Sequence, residues 1–230
     1  MKELAKTAKL LATGTALSLW GLAALAQTNY SFTFPVNEAV PDGNPSGLAL
    51  TPDLTGVGGI ITNLTVSLDI SGGYNGDLYA YLRGPNGGFA VLLNRFGVTS
   101  GDASGYSDTG FDVTFADSAA ANIHFYQSLA YDLNGNGQLT GTWQPDGRAI
   151  DPLSSPSLFD TTPPTALLNS FDGTDPEGTW TLFLADLSSG GQSTVVNWSL
   201  NFETVPEPSA WALLGIGIFL AARKRINRSL

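Results

Sequence analysis

The chain contains no cysteine among its 230 residues. That excludes disulfides, thiol catalysis and cysteine-based zinc sites. An exported form of such a chain must stand on its core, with bound metal as the one further support open to it. Histidine is nearly as scarce, with only His124, set in Ala121-Asn122-Ile123-His124-Phe125-Tyr126 and without a nucleophile motif beside it. One histidine in apolar and aromatic company points to packing rather than catalysis. Between residues 27 and 205 there is no lysine, and Arg83, Arg95 and Arg148 face eighteen carboxylates, a net charge of −15 against −10 for the whole chain. This balance repels nucleic acid and anionic lipid and attracts cations, unless it serves only to solvate the surface. No glycine-rich loop precedes a helix, so a phosphate cradle is excluded. No fixed-period repeat occurs.

The positive charge that exists lies at the ends. Lys2, Lys6 and Lys9 precede an apolar stretch from Leu10 to Leu25, and Ala24-Leu25-Ala26 carries small residues where signal peptidase requires them. This is the pattern of a secretory signal peptide over residues 1–26, cleaved after Ala26; an uncleaved anchor is the alternative. At the other end Val205-Pro206-Glu207-Pro208-Ser209 leads into an uncharged run, Ala210–Ala222, closed by Arg223, Lys224 and Arg225. Pro206 and Pro208 fix φ and remove two backbone donors, so the segment is extended. Thirteen helical residues reach about 20 Å, short of a hydrocarbon core of about 30 Å. Snorkelling of the three basic residues lengthens the span, and their position predicts a cytoplasmic C-terminus. A buried C-terminal helix is the competing reading.

The order of linker, apolar helix and basic end in residues 205–230 resembles the PEP-CTERM sorting signal. The resemblance implies a Gram-negative source, a transient stay in the inner membrane and processing by an exosortase-type enzyme. It also implies final residence at the cell surface or outside the cell, associated with extracellular polysaccharide. Pro206, Glu207 and Pro208 would be the sorting motif and Arg223, Lys224 and Arg225 the membrane stop.

Residues 27–204 are enough for one core. Leu64, Val66, Leu68 and Ile70 alternate with polar neighbours, as do Leu78, Ala80 and Leu82, then Trp180, Leu182 and Leu184, then Val196, Trp198, Leu200 and Phe202. Period-2 patterns separated by Gly, Asn, Asp and Pro clusters predict strands with one buried face. The expected fold is all-β, an antiparallel β-sandwich between two terminal helices.

Gly76-Asp77-Leu78, Leu82-Arg83-Gly84-Pro85, Gly178-Thr179-Trp180, Ala185-Asp186 and Asn197-Trp198-Ser199-Leu200 together resemble the P domain (Homo B) of proprotein convertases, over about residues 56–204. The resemblance implies a jelly roll, and it implies that Asp77, Asp117 and Asp186 stand where family members hold calcium. Gly84-Pro85 replaces the family's Ser-Pro, no histidine precedes Gly76, and Asp132–Thr140 reads as an insertion. Only about 30 residues precede the first matching strand, too few for a protease domain. A second calcium candidate comes from the residues themselves. Asp132, Asn134 and Asn136, followed by Gly137, match the first half of an EF-hand loop, but Trp143 stands where a bidentate Glu belongs; the alternative is a polar Asn-Gly turn. The expectation is an exported, non-enzymatic surface or matrix protein. A carbohydrate-binding module using Tyr74, Tyr79 and Tyr81, or an accessory domain of a β-sandwich hydrolase, are the alternatives.

Overall fold

Alternation of apolar and polar side chains builds two sheets around one core. The computed structural model describes residues 27–207. The strands are β1 (Thr28–Ala39), β2 (Asn44–Leu50), β3 (Asp53–Leu54), β4 (Ile60–Gly72), β5 (Leu78–Arg83), β6 (Phe89–Asn94), β7 (Phe111–Phe115), β8 (Leu139–Trp143), β9 (Gly178–Thr179), β10 (Thr181–Asp186) and β11 (Ser193–Val205). One sheet has the order β1-β11-β4-β7-β8, the other β2-β10-β5-β6, and β3 pairs with β9. Leu64, Val66, Leu68 and Ile70 of β4 and Trp198, Leu200 and Phe202 of β11 point into the same core as Leu78, Ala80 and Leu82 of β5 and Leu182 and Leu184 of β10. Trp180 and Trp198 are wholly buried. Trp180 packs between Phe171 and Phe202, and its Nε1 donates to the Pro176 carbonyl at 2.8 Å.

The sandwich starts at Thr28, within the expected 27–204, and Tyr30, Phe32, Phe34 and Val36 alternate with exposed neighbours along β1, ahead of the stretch that resembles the P domain. The structure departs from the sequence expectation at two points. The five-stranded sheet is mixed: β8 runs parallel to β7, with Phe111 opposite Leu139 and Phe115 opposite Trp143. In β11 the core position is Val195, fully buried, while Val196 is half-buried. A bulge between Val195 and Asn197 inserts one residue and resets the alternation that a strict period of two would give. Residues 132–140, the stretch that reads as an insertion, close a hairpin through the Leu133–Leu139 bridge. Helix is confined among the described residues to α1 (Pro156–Thr161) and three 3-10 segments, and none of it is long and apolar enough to cross a membrane. The two expected terminal helices lie outside the described residues.

Candidate functional site

Asp42, Asp77, Asp186 and Arg95 gather at one corner of the sandwich. A 3-10 turn, Asn75–Asp77, delivers Asp77 just before β5, and β10 ends at Asp186, which pairs across to Leu78. The Leu187 N–H donates to the Asp77 carbonyl at 2.9 Å, which locks the two segments together. Asp186 is 1% exposed. Its Oδ1 accepts from the Ser188 N–H at 3.3 Å. Burial, chiefly, and then repulsion from Asp77 and Asp42 push its carboxyl up to about 6, against the donors from the Ser188 and Gly43 backbone. Asp77 is raised as well, first by burial; the Ser188 hydroxyl and Arg95 pull it back and Asp42 pushes it further up. Arg95, with φ of 50°, donates to the Gly76 and Ala103 carbonyls at 3.2 and 3.0 Å. Tyr74, Asp77, Arg95 and Ser188 line the shallow cavity outside. Asp42 closes the corner by accepting from the Gly190 N–H at 3.1 Å. Its Pro41-Asp42-Gly43 setting marks a turn in sequence, but nothing there places it beside Asp186.

Asp117, the third residue of the expected calcium set, does not join them. Its carboxylate caps the 3-10 segment Leu168–Phe171, accepting from the Leu168 and Asn169 N–H groups at 3.0 and 2.7 Å. It lies by Leu64 near the start of β4, whereas Asp77 follows β4's far end. The EF-hand-like stretch spends its side chains on itself. Asn134 Oδ1 accepts from the Asn136 and Gln138 N–H groups at 2.9 and 3.1 Å, and Asn134 Nδ2 donates to Gln138 Oε1 at 2.9 Å. Asp132 contributes its backbone carbonyl to Thr140. Asp132, Asn134 and Asn136 therefore form the polar turn rather than a preformed cage. Among the described residues no three His, Asp or Glu side chains converge on one metal-sized point.

His124 is wholly buried in a network that sequence patterns did not disclose. Its Nδ1 lies 2.6 Å from Asp146 Oδ2 and its Nε2 3.1 Å from the Val98 carbonyl, so both ring nitrogens face acceptors and neither faces a hydroxyl. Arg148 Nη1 donates to Asp146 Oδ1 at 3.3 Å, and its Nε donates to the Phe159 carbonyl at 3.1 Å. Phe159 stacks on the imidazole. His124 and Arg148 thus flank one carboxylate beneath the 122–148 loops, an arrangement that ties those loops together. Arg148, one of three arginines in an otherwise acidic body, was the available signal.

The outer face of the four-stranded sheet carries Tyr79, Tyr81, Phe89 and Phe183, all half-buried. Tyr81 and Phe183 stack with centroids 5.0 Å apart and 18° between planes, too close for rings lying side by side. Their flat faces shield one another and their edges meet solvent. Gly47 lets β2 approach: a Cβ there would stand 2.8 Å from the Phe183 ring and collide with the Leu184 carbonyl, at φ of 54°. Tyr74 sits apart from this cluster, with its hydroxyl donating to the Gly105 carbonyl.

Pro206 and Glu207 follow directly on Val205, the last residue of β11, and both are exposed. Pro208, Arg223, Lys224, Arg225, Ala24 and Ala26 lie outside the described residues. A PEP-CTERM protein-sorting motif is found at residues 204–225. The motif indicates sorting by an exosortase system to the cell surface in Gram-negative bacteria. No curated protein matches the chain. Two solved structures are similar in part: the serine protease of Aeromonas sobria, 15% identical, and the same protease in complex with its chaperone, 13% identical. Each covers 78% of this chain and 27% of the other, with a TM-score of 0.43. The chain thus spans about a quarter of the length of those structures.

Proposed function

We propose that the protein is an exported, non-catalytic surface component. Its body is a P-domain-like jelly roll, delivered by an exosortase-type enzyme and held in the extracellular polysaccharide. The observation that carries the reading is the junction at Val205: the sorting motif begins where β11, the strand between β1 and β4, ends, with Pro206 and Glu207 exposed. A processing enzyme needs such an extended, accessible segment outside the folded body. The absence of a catalytic role is supported by His124, whose two nitrogens are already committed. A net charge of −15 between residues 27 and 205 argues against nucleic acid as a partner. Calcium enters this reading as an accessory ion at Asp77 and Asp186, two oxygen donors of like charge that a divalent cation would relieve. Where present, it would bridge the β5 and β10 ends; the chemistry it supplies is charge neutralisation.

Alanine at Pro206, Glu207 and Pro208 tests the sorting step. The variant should keep its tail and fractionate with the inner membrane, while wild-type protein loses residues 210–230 and reaches the surface. Intact tails on surface-located wild-type protein would contradict the proposal. The second reading, a carbohydrate-binding module, draws on the Tyr79, Tyr81, Phe89 and Phe183 face, although the Tyr81–Phe183 stack turns ring faces away from a sugar. Glycan binding lost on Tyr81→Ala but kept by the sorting variant would favour it.

A further inference from the structure

β1 is the edge of the five-stranded sheet and pairs only with β11. Its alternate N–H and C=O groups face away from that partner, and no backbone hydrogen bond from another described segment meets residues 28–39. Natural edges of this length are usually blunted by charge, proline or a bulge. Here those devices sit at one end only: Pro35 lacks a donor, Asn37 has φ of 54°, and the pairing with β11 slips between Pro35 and Glu38. The stretch before them, Thr28-Asn29-Tyr30-Ser31-Phe32-Thr33-Phe34, has no charge although the body carries eighteen carboxylates. It combines high β-propensity with neutrality.

The sandwich is also unfinished on this side. Tyr30, Phe32, Phe34 and Val36 of β1 and Leu48 and Leu50 of β2 are only partly buried against the core, although each points into it. β2 is the edge of the opposing sheet, so the two edges flank one apolar seam.

We propose that this edge is a docking site for a second copy of the chain, through antiparallel β1–β1 pairing about a two-fold axis perpendicular to the sheet. Charge selects the occupant. Two bodies of −15 repel across most of their surfaces, and β1 is a long neutral surface on which they can meet. Symmetry makes the contact self-complementary: the axis that joins the five-stranded sheets also brings seam against seam, so Phe32 of each copy lies opposite Tyr30 of the other. The register follows from Pro35, which has no donor. Thr28–Phe34 is the stretch ahead of it that is free to pair, and its centre is Ser31, so Ser31 should lie opposite itself and Asn29 opposite Thr33 of the partner copy.

The absence of native cysteine gives a clean test. Full-length chains with Ser31→Cys, Asn29→Cys or Thr33→Cys, and Ser118→Cys as an exposed control remote from β1, are oxidised in intact producing cells and separated on non-reducing gels. Ser31→Cys should give dimer several-fold above the Ser118→Cys control. Asn29→Cys and Thr33→Cys should cross-link efficiently only when co-expressed. Lysine at both Asn29 and Thr33 should reduce the Ser31→Cys dimer to the control level while leaving the melting temperature of the chain unchanged. Cross-linking no greater than the control, equal yields at every β1 position, or a Ser31→Cys product of monomer plus an unrelated protein would overturn the proposal. So would dimer that survives the two lysines, since contact would then come from elsewhere, for example the apolar C-terminal run.

Discussion

Asp186 offers a stability measurement whose sign is fixed by its surroundings. Its carboxyl ionises near 6 in the folded chain, against an ordinary value near 4, because it is buried and faces Asp77 and Asp42. Below about pH 4 folded and unfolded forms both hold the proton, and the group contributes nothing. Between about 4 and 6 the folded form holds a proton that the unfolded form has lost, so stability falls as pH rises. Above about 6 the full cost of a buried ionised group is present. A rise of that size corresponds to at most about 3 kcal/mol. Solvent at the open side of the corner lowers this, and an asparagine in its place loses one acceptor facing the Gly43 N–H. Asp186→Asn should therefore gain about 1 kcal/mol at pH 8, roughly 2–4 °C in melting temperature for a body of this size. The gain should shrink steadily from pH 6 to pH 4 and vanish below. Differential scanning calorimetry at closely spaced pH values reads it directly. A variant less stable than wild type at pH 8, or a difference that does not change with pH, would show that Asp186 is already compensated.

The other predictions concern core, ion and export. Trp198→Ala and Trp180→Ala each empty a fully buried site and should cost about 3–5 kcal/mol, enough to abolish soluble expression or lower the melting temperature strongly; melting within a few degrees of wild type would contradict their burial. Millimolar calcium should raise the wild-type melting temperature beyond sodium at matched ionic strength, and Asp186→Asn should erase that excess; equal effects of the two salts would leave the corner without an ion. Ala26→Leu should lengthen the exported protein, and N-terminal sequencing of the wild type should begin at Gln27; an unprocessed Met1 on exported protein would exclude cleavage there.

The strands were legible where burial on one face imposes a period of two. Leu64 to Ile70 and Leu78 to Leu82 show it without interruption, and both lie in the core as expected. Val196 was misplaced because a bulge changes the phase of a strand without leaving a glycine or proline to mark it. β1 obeyed the same period but lay outside the stretch that resembles the P domain, and so drew no attention. The candidate calcium residues split for a different reason. A carboxylate in sequence is equally a ligand, a helix cap or a turn former, and only packing decides which: Asp117 became a cap, Asn134 a turn, and Asp77 and Asp186 neighbours. The His124–Asp146–Arg148 network joins residues 22 and 2 positions apart, too common a spacing to read. The C-terminal address was legible because it is linear; the signal peptide expected over residues 1–26 lies outside the described residues.

Thr28 lies directly across from Thr204, so the two ends of the body leave from the same corner, and β11, the strand between β1 and β4, is the last of the described strands in chain order. Until β11 has crossed the membrane, β1 and β4 have no common neighbour and the five-stranded sheet cannot close. Strand order alone thus makes the closing of this sheet wait for β11, whose last residue is Val205. The fold is completed by the residues that adjoin the sorting motif, so a body truncated short of them would lack the strand that joins β1 to the rest.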